Sequence, residues 1–316
     1  MTEFNQEEVF KDTSKTGKDR KWRERKLQNI NLAKAFKELE YKINENVFSC
    51  AEVLKYKEQA DGSLKLYQTW FCKNKLCPIC NWRRAMKYSY QTSLIVDEAI
   101  KRYPKGRFLF LTLTVKNVLG EELNQTMSEL AKSFDRLFRR AKVKKNMLGY
   151  IRATEVTRND TREDFHPHMH ILIFVKSSYF NKGDYISQNE WSEMWQKSAK
   201  LDYTPVVDIK AVKTKVKNEY DPNGMKKAIL ETAKYPTKPI DYNSDEIEVV
   251  RDLHEGMHRK RLISFGGLFK EIRKELNLDN VEEGDLINTT EEDTVSDTAK
   301  EIVAIWNWDK QNYFVR

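Results

Sequence analysis

The stretch His166-Pro167-His168-Met169-His170, continued by Ile171-Leu172-Ile173-Phe174-Val175, holds three of the chain's five histidines and decides how the sequence is read. Side chains two apart in a strand share a face, so His168 and His170 point one way while Met169 points into a core. Two imidazoles about 6–7 Å apart along a strand can grip one divalent metal from one side. The opposite side of the metal then stays open to substrate, which suits catalysis better than structure. A polar strand start with solvent-facing histidines is the plainer alternative, and other residues have to separate the two.

Outward from that strand, Phe108-Leu109-Phe110-Leu111, continued by Thr112-Leu113-Thr114-Val115, reads as a second strand over 107–116, too short and too polar to span a bilayer. An amphipathic helix follows, with Leu123, Met127, Leu130, Phe134, Leu137 and Phe138 at three-and-four spacing. Residues 149–157 and 168–175 read as strands joined by a polar loop, 158–167. A helix near 188–199, a strand near 205–213, a helix over 224–235 and helical stretches near 245–260 and 268–277 complete this part. Upstream, a helix is expected around 27–41. A hairpin over 52–59 and 64–71 turns at Asp61-Gly62, and residues 82–102 look helical before Pro104. Strands alternating irregularly with helices fit an α+β sheet with helices on one side. The expected organisation is a basic arm and helix (1–45), a four-cysteine module (46–85), a main domain with a helical extension (86–278), an acidic linker (279–299) and a C-terminal tail (300–316) that docks as a short hairpin.

The formal net charge is +8, but residues 279–299 hold eight acids and no Lys or Arg, so the remainder carries +16. Such a surplus suits a polyanion, with DNA or RNA as the expected partner. It concentrates near the N-terminus, where Lys18, Arg20, Lys21, Arg23 and Arg25 surround Trp22. Met1-Thr2-Glu3-Phe4-Asn5 shows no basic-then-apolar signal segment, so a cytoplasmic protein without a membrane role is expected.

All four cysteines fall between residues 50 and 80. Cys50 precedes the hairpin, Cys72 closes it, and Cys77-Pro78-Ile79-Cys80 adds a pair with a two-residue gap. Four clustered thiols in a cytosolic chain read as a tetrahedral structural Zn2+ site rather than as disulfides. Asn81-Trp82-Arg83-Arg84 follows at once, which would set a basic, aromatic edge, with Arg83 and Arg84, against DNA.

On the helix expected over 224–235, Glu231 and Tyr235 stand four apart on one face with Lys234 beside them. Pro236 ends the helix and leaves Lys238 near the phenol. A phenol can attack phosphorus when a metal and cations stabilise the developing charge, although a tyrosine alone is more often a packing residue. Glu155, on the strand before the histidines, should reach the same metal across the hairpin. Two imidazoles and a carboxylate suit Mn2+ or Mg2+ and do not exclude Zn2+. His166 is in phase with His168 and His170, but Pro167 interrupts strand pairing, so His166 reads as a supporting rather than a ligating residue. His254-Glu255-Gly256-Met257-His258 spells the H-E-x-x-H of zinc peptidases. Gly256 weakens the helix that must present both histidines by roughly 1 kcal/mol, and no later histidine exists to complete the set.

Phe110-Leu111-Thr112-Leu113-Thr114, His168-Met169-His170 and Glu231-x-x-Lys234-Tyr235-x-x-Lys238 stand in the order of three motifs. Together they resemble those of the plasmid rolling-circle replication initiators of the HUH endonuclease superfamily. Cys77 to Arg84, the stretch Lys18–Lys26 and Arg261-Leu262-Ile263-Ser264-Phe265-Gly266-Gly267 resemble segments of the family's Gram-positive plasmid branch, so the likeness covers about residues 15–278. It implies an HUH-type five-stranded antiparallel sheet with flanking helices, a ferredoxin- or RRM-like core whose central strands are 107–116 and 168–175. It implies that Tyr235 attacks a scissile phosphate polarised by the metal of His168, His170 and Glu155, leaving a 5′-phosphotyrosine and a free 3′-OH. Some relatives carry two tyrosines; here Glu231 stands one turn earlier, and the resemblance makes it the activator of water for the terminating cleavage. Lys238 would neutralise the phosphate, with Lys234 assisting. Implied partners are plasmid origin DNA, duplex and single-stranded at the nick site, a host superfamily 1 helicase, single-strand-binding protein and DNA polymerase, with a homodimer compatible with cutting and resealing. The rival reading is a non-catalytic, zinc-containing DNA-binding regulator.

Overall fold

Runs such as Phe108–Leu111 and Ile171–Val175 are apolar at consecutive positions, and a strand of that kind needs cover on both faces. The computed structural model describes residues 8–14, 17–212, 215–216, 219–220, 229, 247–289 and 299–316. In chain order the elements are α1 (Trp22–Glu38), α2 (Asn44–Phe48), β1 (Val53–Glu58), β2 (Leu64–Gln68), α3 (Pro78–Arg102), β3 (Arg107–Thr114), α4 (Gly120–Phe138) and α5 (Ala141–Asn146). Then come β4 (Met147–Asn159), β5 (Asp164–Val175), a 3-10 turn (Ser177–Phe180), α6 (Gln188–Ala199), β6 (Val207–Ala211) and the two-residue β7 (Lys215–Val216) and β8 (Glu219–Tyr220). The last are α7 (Ile247–Gly256), β9 (Ile263–Gly267), α8 (Leu268–Glu275), β10 (Glu301–Asn307) and β11 (Asn312–Val315). No helix among the described residues is long and apolar enough to cross a membrane. The chain divides into two units, one of residues 1–87, 239–251 and 280–316, the other of residues 88–238 and 252–279.

The second unit is built on a five-stranded antiparallel sheet in the order β6-β3-β5-β4-β9. Tyr150 pairs with Ile173 and so lies on the face opposite Phe174. Phe134 and Phe138 of α4 meet Tyr150 at 5.0 and 4.9 Å, whereas Phe269 of α8 stacks on Phe174 at 5.8 Å and on Phe108 at 6.4 Å. Helices therefore cover both faces rather than one, which explains the unbroken apolar runs: Leu111, Leu113, Met169, Ile171, Leu172 and Phe174 are all fully buried. In β9, a Cβ on Gly267 would lie 2.4 Å from the carbonyl oxygen of Leu148, and the residue holds φ 56°, so glycine is required where β9 passes into α8.

The hairpin of β4 and β5 is longer than the sequence indicates. The polar stretch 158–167 is mostly strand, and only residues 160–163 turn, closed by Asn159 Oδ1, which accepts from the amides of Thr161 and Arg162, both at 3.1 Å. Pro167 does not break the strand; it pairs in register with Val156. The Phe165 amide donates to Val118 O, so amides of this parity face away from β4, and β3 pairing ends at Thr114 opposite His168. The missing N–H of Pro167 thus costs the ladder with β4 nothing.

In the first unit the described part of the arm is folded. Phe10 N donates to Tyr313 O at 2.9 Å, and α1 begins at Trp22, five residues before the expected start. Asp12, buried, accepts from Trp22 Nε1 and Tyr56 Oη, both at 2.8 Å, with Arg20 Nε at 3.5 Å. The C-terminal hairpin joins the sheet, β11-β10-β1-β2, with Val53 opposite Ile305. The start of the acidic stretch is not a linker either. Val281 and Leu286 are buried, and Arg83 Nε donates to Leu286 O at 2.8 Å and Arg84 Nε to Glu282 O at 3.2 Å. Arm, cysteine module, residues 280–289 and tail are thus one unit drawn from both ends of the chain. Asp12→Ala should strand two buried donors and lower unfolding free energy in urea by about 2–4 kcal/mol, whereas a wild-type midpoint would dismiss Asp12 as the unit's anchor.

Candidate metal centres

On one face of the second unit's sheet, β4 places Glu155 directly opposite His168, and His170 sits between Ala153 of β4 and Thr112 of β3. Glu155 Oε2 lies 3.6 Å from His168 Nε2 and 3.5 Å from His170 Nε2, and ligand atoms of the three residues all lie within 4.8 Å of one another. Ligands about 2.1 Å from a common ion stand about 3.0–3.4 Å apart at octahedral or tetrahedral angles, so these donors fit one divalent ion after a small closure.

Outer contacts aim the imidazoles. His168 Nδ1 stands 3.0 Å from the carbonyl oxygen of His166, which can only accept, so Nδ1 carries the proton and Nε2 keeps its lone pair for the centre. His170 Nδ1 meets Thr112 Oγ1 at 3.1 Å, and the Phe110 ring stacks on this imidazole at 5.5 Å. The His166 ring lies on that of His168 at 5.1 Å, and its Nδ1 bonds Asn117 Oδ1 at 2.8 Å. His166 thus supports the trio without joining it. Burial pushes the Glu155 carboxyl upward, but the hydrogen bonds and positive charge that His168 and His170 offer it when protonated outweigh that and hold it at about 2.

In the first unit, Cys50, Cys72, Cys77 and Cys80 also bring their sulfurs within 4.8 Å of one another. Cys50–Cys80, Cys72–Cys80 and Cys77–Cys50 are each separated by 3.7 Å, and a tetrahedron with metal–sulfur bonds of about 2.3 Å has edges of about 3.8 Å. Asn29 Nδ2 donates to Cys77 Sγ at 3.3 Å and the Cys72 amide to Cys50 Sγ at 3.4 Å, as thiolates require. Lys26, fully buried, donates to Cys50 O at 2.8 Å, a cation beside a centre that four thiolates would make doubly negative. Burial pushes its amine down from the usual lysine range, and Cys50 opposes that shift.

Tyr235, Glu231, Lys234 and Lys238 lie outside the described residues. Of the cations expected at DNA, Lys18, Lys21 and Arg23 are exposed, while Arg20 and Arg25 are half-buried, Arg20 beside Asp12 and Arg25 over the Trp82 ring at 4.4 Å. Arg83 and Arg84 are not available to DNA. They are 2% and 1% exposed, and their guanidinium groups are spent on backbone carbonyls, Arg84 Nη1 reaching Asn74 O at 3.0 Å. The peptidase pattern fails on geometry: α7 ends at Gly256, leaving His258 beyond the helix that carries His254, and the pair joins no ligand cluster among the described residues. Sequence reasoning missed Asn117 and Asn29, and it named Thr112 and Lys26 only within a motif strand and a basic stretch, not for these contacts. Only Thr112 had a signal, its two-residue spacing from Thr114 on a strand paired with the histidines.

A family model described as "Replication protein" matches residues 63–314. The chain is 58% identical over 316 residues to "Protein rep" of Streptococcus pneumoniae serotype 2 (strain D39 / NCTC 7466), covering 99% of this chain and 97% of that one. It is 46% identical over 317 residues to "Protein rep" of Lactiplantibacillus plantarum, covering 98% and 99%, and 41% identical over 336 residues to "Protein rep" of Bacillus amyloliquefaciens, covering 99% and 98%. No solved structure matches the chain.

Thr112→Val, nearly isosteric, should weaken Mn2+ binding by about 10–100-fold in a calorimetric titration, and Thr112→Ser should restore it. Equal affinity for all three proteins would remove Thr112 from the centre.

Proposed function

This chain belongs to the replication-protein family, and on that premise we propose that it initiates rolling-circle replication of a plasmid by nicking one strand at the origin and rejoining it after a round of synthesis. One observation carries the reading: Glu155, His168 and His170 converge on one sheet face, their free donors turned to a common point by partners behind them. A divalent ion held there, Mn2+ or Mg2+, would supply Lewis-acid polarisation of a scissile phosphate.

The chain's residues then divide the work. Glu155 brings the anion, and each imidazole offers Nε2 to the ion because its Nδ1 is engaged elsewhere. The phenolic oxygen of Tyr235 attacks phosphorus; the P–O3′ bond breaks, the 5′-phosphate stays on the tyrosine, and the released 3′-oxygen gains a proton and becomes the primer. Lys238, assisted by Lys234, offsets charge on the phosphate. In the closing cleavage Glu231 draws a proton from water, whose oxygen attacks phosphorus at the regenerated nick site, and the P–O3′ bond breaks there. The freed 3′-OH attacks the phosphotyrosine, which returns the phenol and closes the circle, so the reaction stops. The four cysteines hold a structural Zn2+ that fixes the first unit, whose exposed Lys18, Lys21 and Arg23 meet DNA phosphates. A host superfamily 1 helicase, single-strand-binding protein and polymerase complete the cytoplasmic reaction, and two protomers can share the cutting and resealing.

Incubated with Mn2+ and an origin-derived single-stranded oligonucleotide, the protein should form a covalent adduct that Tyr235→Phe abolishes. Adduct formation by Tyr235→Phe would reject the nucleophile, and no adduct from the wild type would favour the non-catalytic regulator. Glu231→Ala should still nick but accumulate the adduct without resolving it; wild-type turnover would reject the termination role. Metal analysis of purified protein should find one zinc per chain, lost in Cys77→Ser together with the urea resistance of the first unit. Full resistance in zinc-free protein would deny the ion its structural part.

A further inference from the structure

Among the described residues of the first unit, three aromatic side chains are exposed: Phe48 at 39%, Trp308 at 38% and Trp70 at 48%. Their backbones and polar atoms are tied to one corner of the chain, Phe48–Glu52. Lys26 Nζ donates to the carbonyls of Phe48 and Cys50 at 2.7 and 2.8 Å, and the Ala51 amide donates to Trp70 O at 2.8 Å. Trp308 Nε1 donates to Glu52 Oε1 at 3.1 Å. Phe48 and Trp308 lie against each other as a parallel stack, centroids 4.4 Å apart and planes within 8°. Cys50 belongs to the four-cysteine cluster, so the corner that presents this stack is fixed by the same residues that would bind zinc.

An aromatic pair held at the surface with part of its ring area in water offers a face on which an unpaired base can stack. Its surroundings favour a polyanion. Exposed Arg23 donates through Nε to Gln311 O at 2.9 Å in the turn between β10 and β11 that also carries Trp308, and Lys310 of that turn is exposed. Lys26 Nζ lies 5.5 Å from the Trp308 ring centroid. Of the nearby acids, the Glu52 carboxylate is occupied by the indole, and Asp309 of the turn is exposed. The whole chain carries a net +8.

We propose that the Phe48–Trp308 stack is a base-stacking platform for unpaired DNA, with Arg23 and Lys310 supplying charge to its phosphates. Stacking reads the flat face that every base offers, so the platform holds single strands regardless of sequence and does not engage bases that stay paired. A separated strand at an origin would be kept close to the protein in this way. The inference draws on the replication-protein reading only for the choice of DNA as partner.

The test is fluorescence anisotropy with the full chain, on labelled oligo(dT) and on a labelled random-sequence duplex. Oligo(dT) carries no origin, so the result stands apart from the chemistry assigned to Tyr235. Phe48→Ala with Trp308→Ala should weaken oligo(dT) binding on the order of tenfold or more and leave duplex affinity unchanged, with metal content and far-UV circular dichroism as in the wild type. Phe48→Leu keeps apolar bulk without a π face and should weaken oligo(dT) binding in the same direction, which keeps the proposal testable should the double variant fold poorly. Unchanged oligo(dT) affinity in folded variants, or an equal loss on duplex, would overturn it. So would sedimentation showing that the substitutions dissociate a dimer while DNA affinity persists, because the stack would then be covered by a second copy.

Discussion

The register between β4 and β5 is the constraint on which the catalytic reading rests. Glu155 meets His168 and His170 only because Glu155 pairs with His168 and Ala153 with His170. A slip of one residue would turn the carboxylate to the other face of the sheet and leave the imidazoles without their oxygen partner. That slip is blocked by the residues between the ligands. Met169, Ile171 and Ile173 are buried on the face opposite the histidines, and a slip would turn His168 and His170 into that apolar face, burying polar groups without their partners. The geometry of the candidate metal centre is thus specified by apolar residues that never touch it.

The same face explains how the site is held rigid at one end of the sheet. Phe108 and Phe174 are covered by Phe269 toward one end of β5, whereas the histidines lie at the other end, where β3 pairing stops at Thr114. Thr112 and the His166 carbonyl fill the rear of the imidazoles. Their donors then converge without help from a bound ion, which reduces the reorganisation needed when one binds.

The first unit follows a different logic. Its sheet needs β10 beside β1, its buried Asp12 needs Trp22 and Tyr56, and its cysteines come from a hairpin and the start of α3. Segments far apart in sequence must meet before any of these groups is satisfied, and a cluster that ties Cys50 to Cys80 limits how far they can separate. Buried Arg83, Arg84 and Lys26 belong to this assembly. Each places a long cationic side chain among backbone carbonyls, where its donors are used internally rather than at DNA.

What the sequence by itself determined is whatever depends on neighbours along the chain. The two-residue period put His168 and His170 on one face, four cysteines within one short stretch announced a cluster that could hold a metal, and the Asp61-Gly62 turn marked the first hairpin. Residue type alone misled where burial decides. Arg83 and Arg84 look like DNA contacts until the carbonyls of residues 280–289 are seen to occupy them, and the acids of that stretch hide the two apolar residues, Val281 and Leu286, that dock it. Pro167 looks like a strand breaker until it is known which edge its missing amide faces. Only the tertiary structure decided these points, and it alone left Phe48 and Trp308 at the surface, because a side chain's role depends on which distant segment satisfies or covers it, and local pattern carries no record of that pairing.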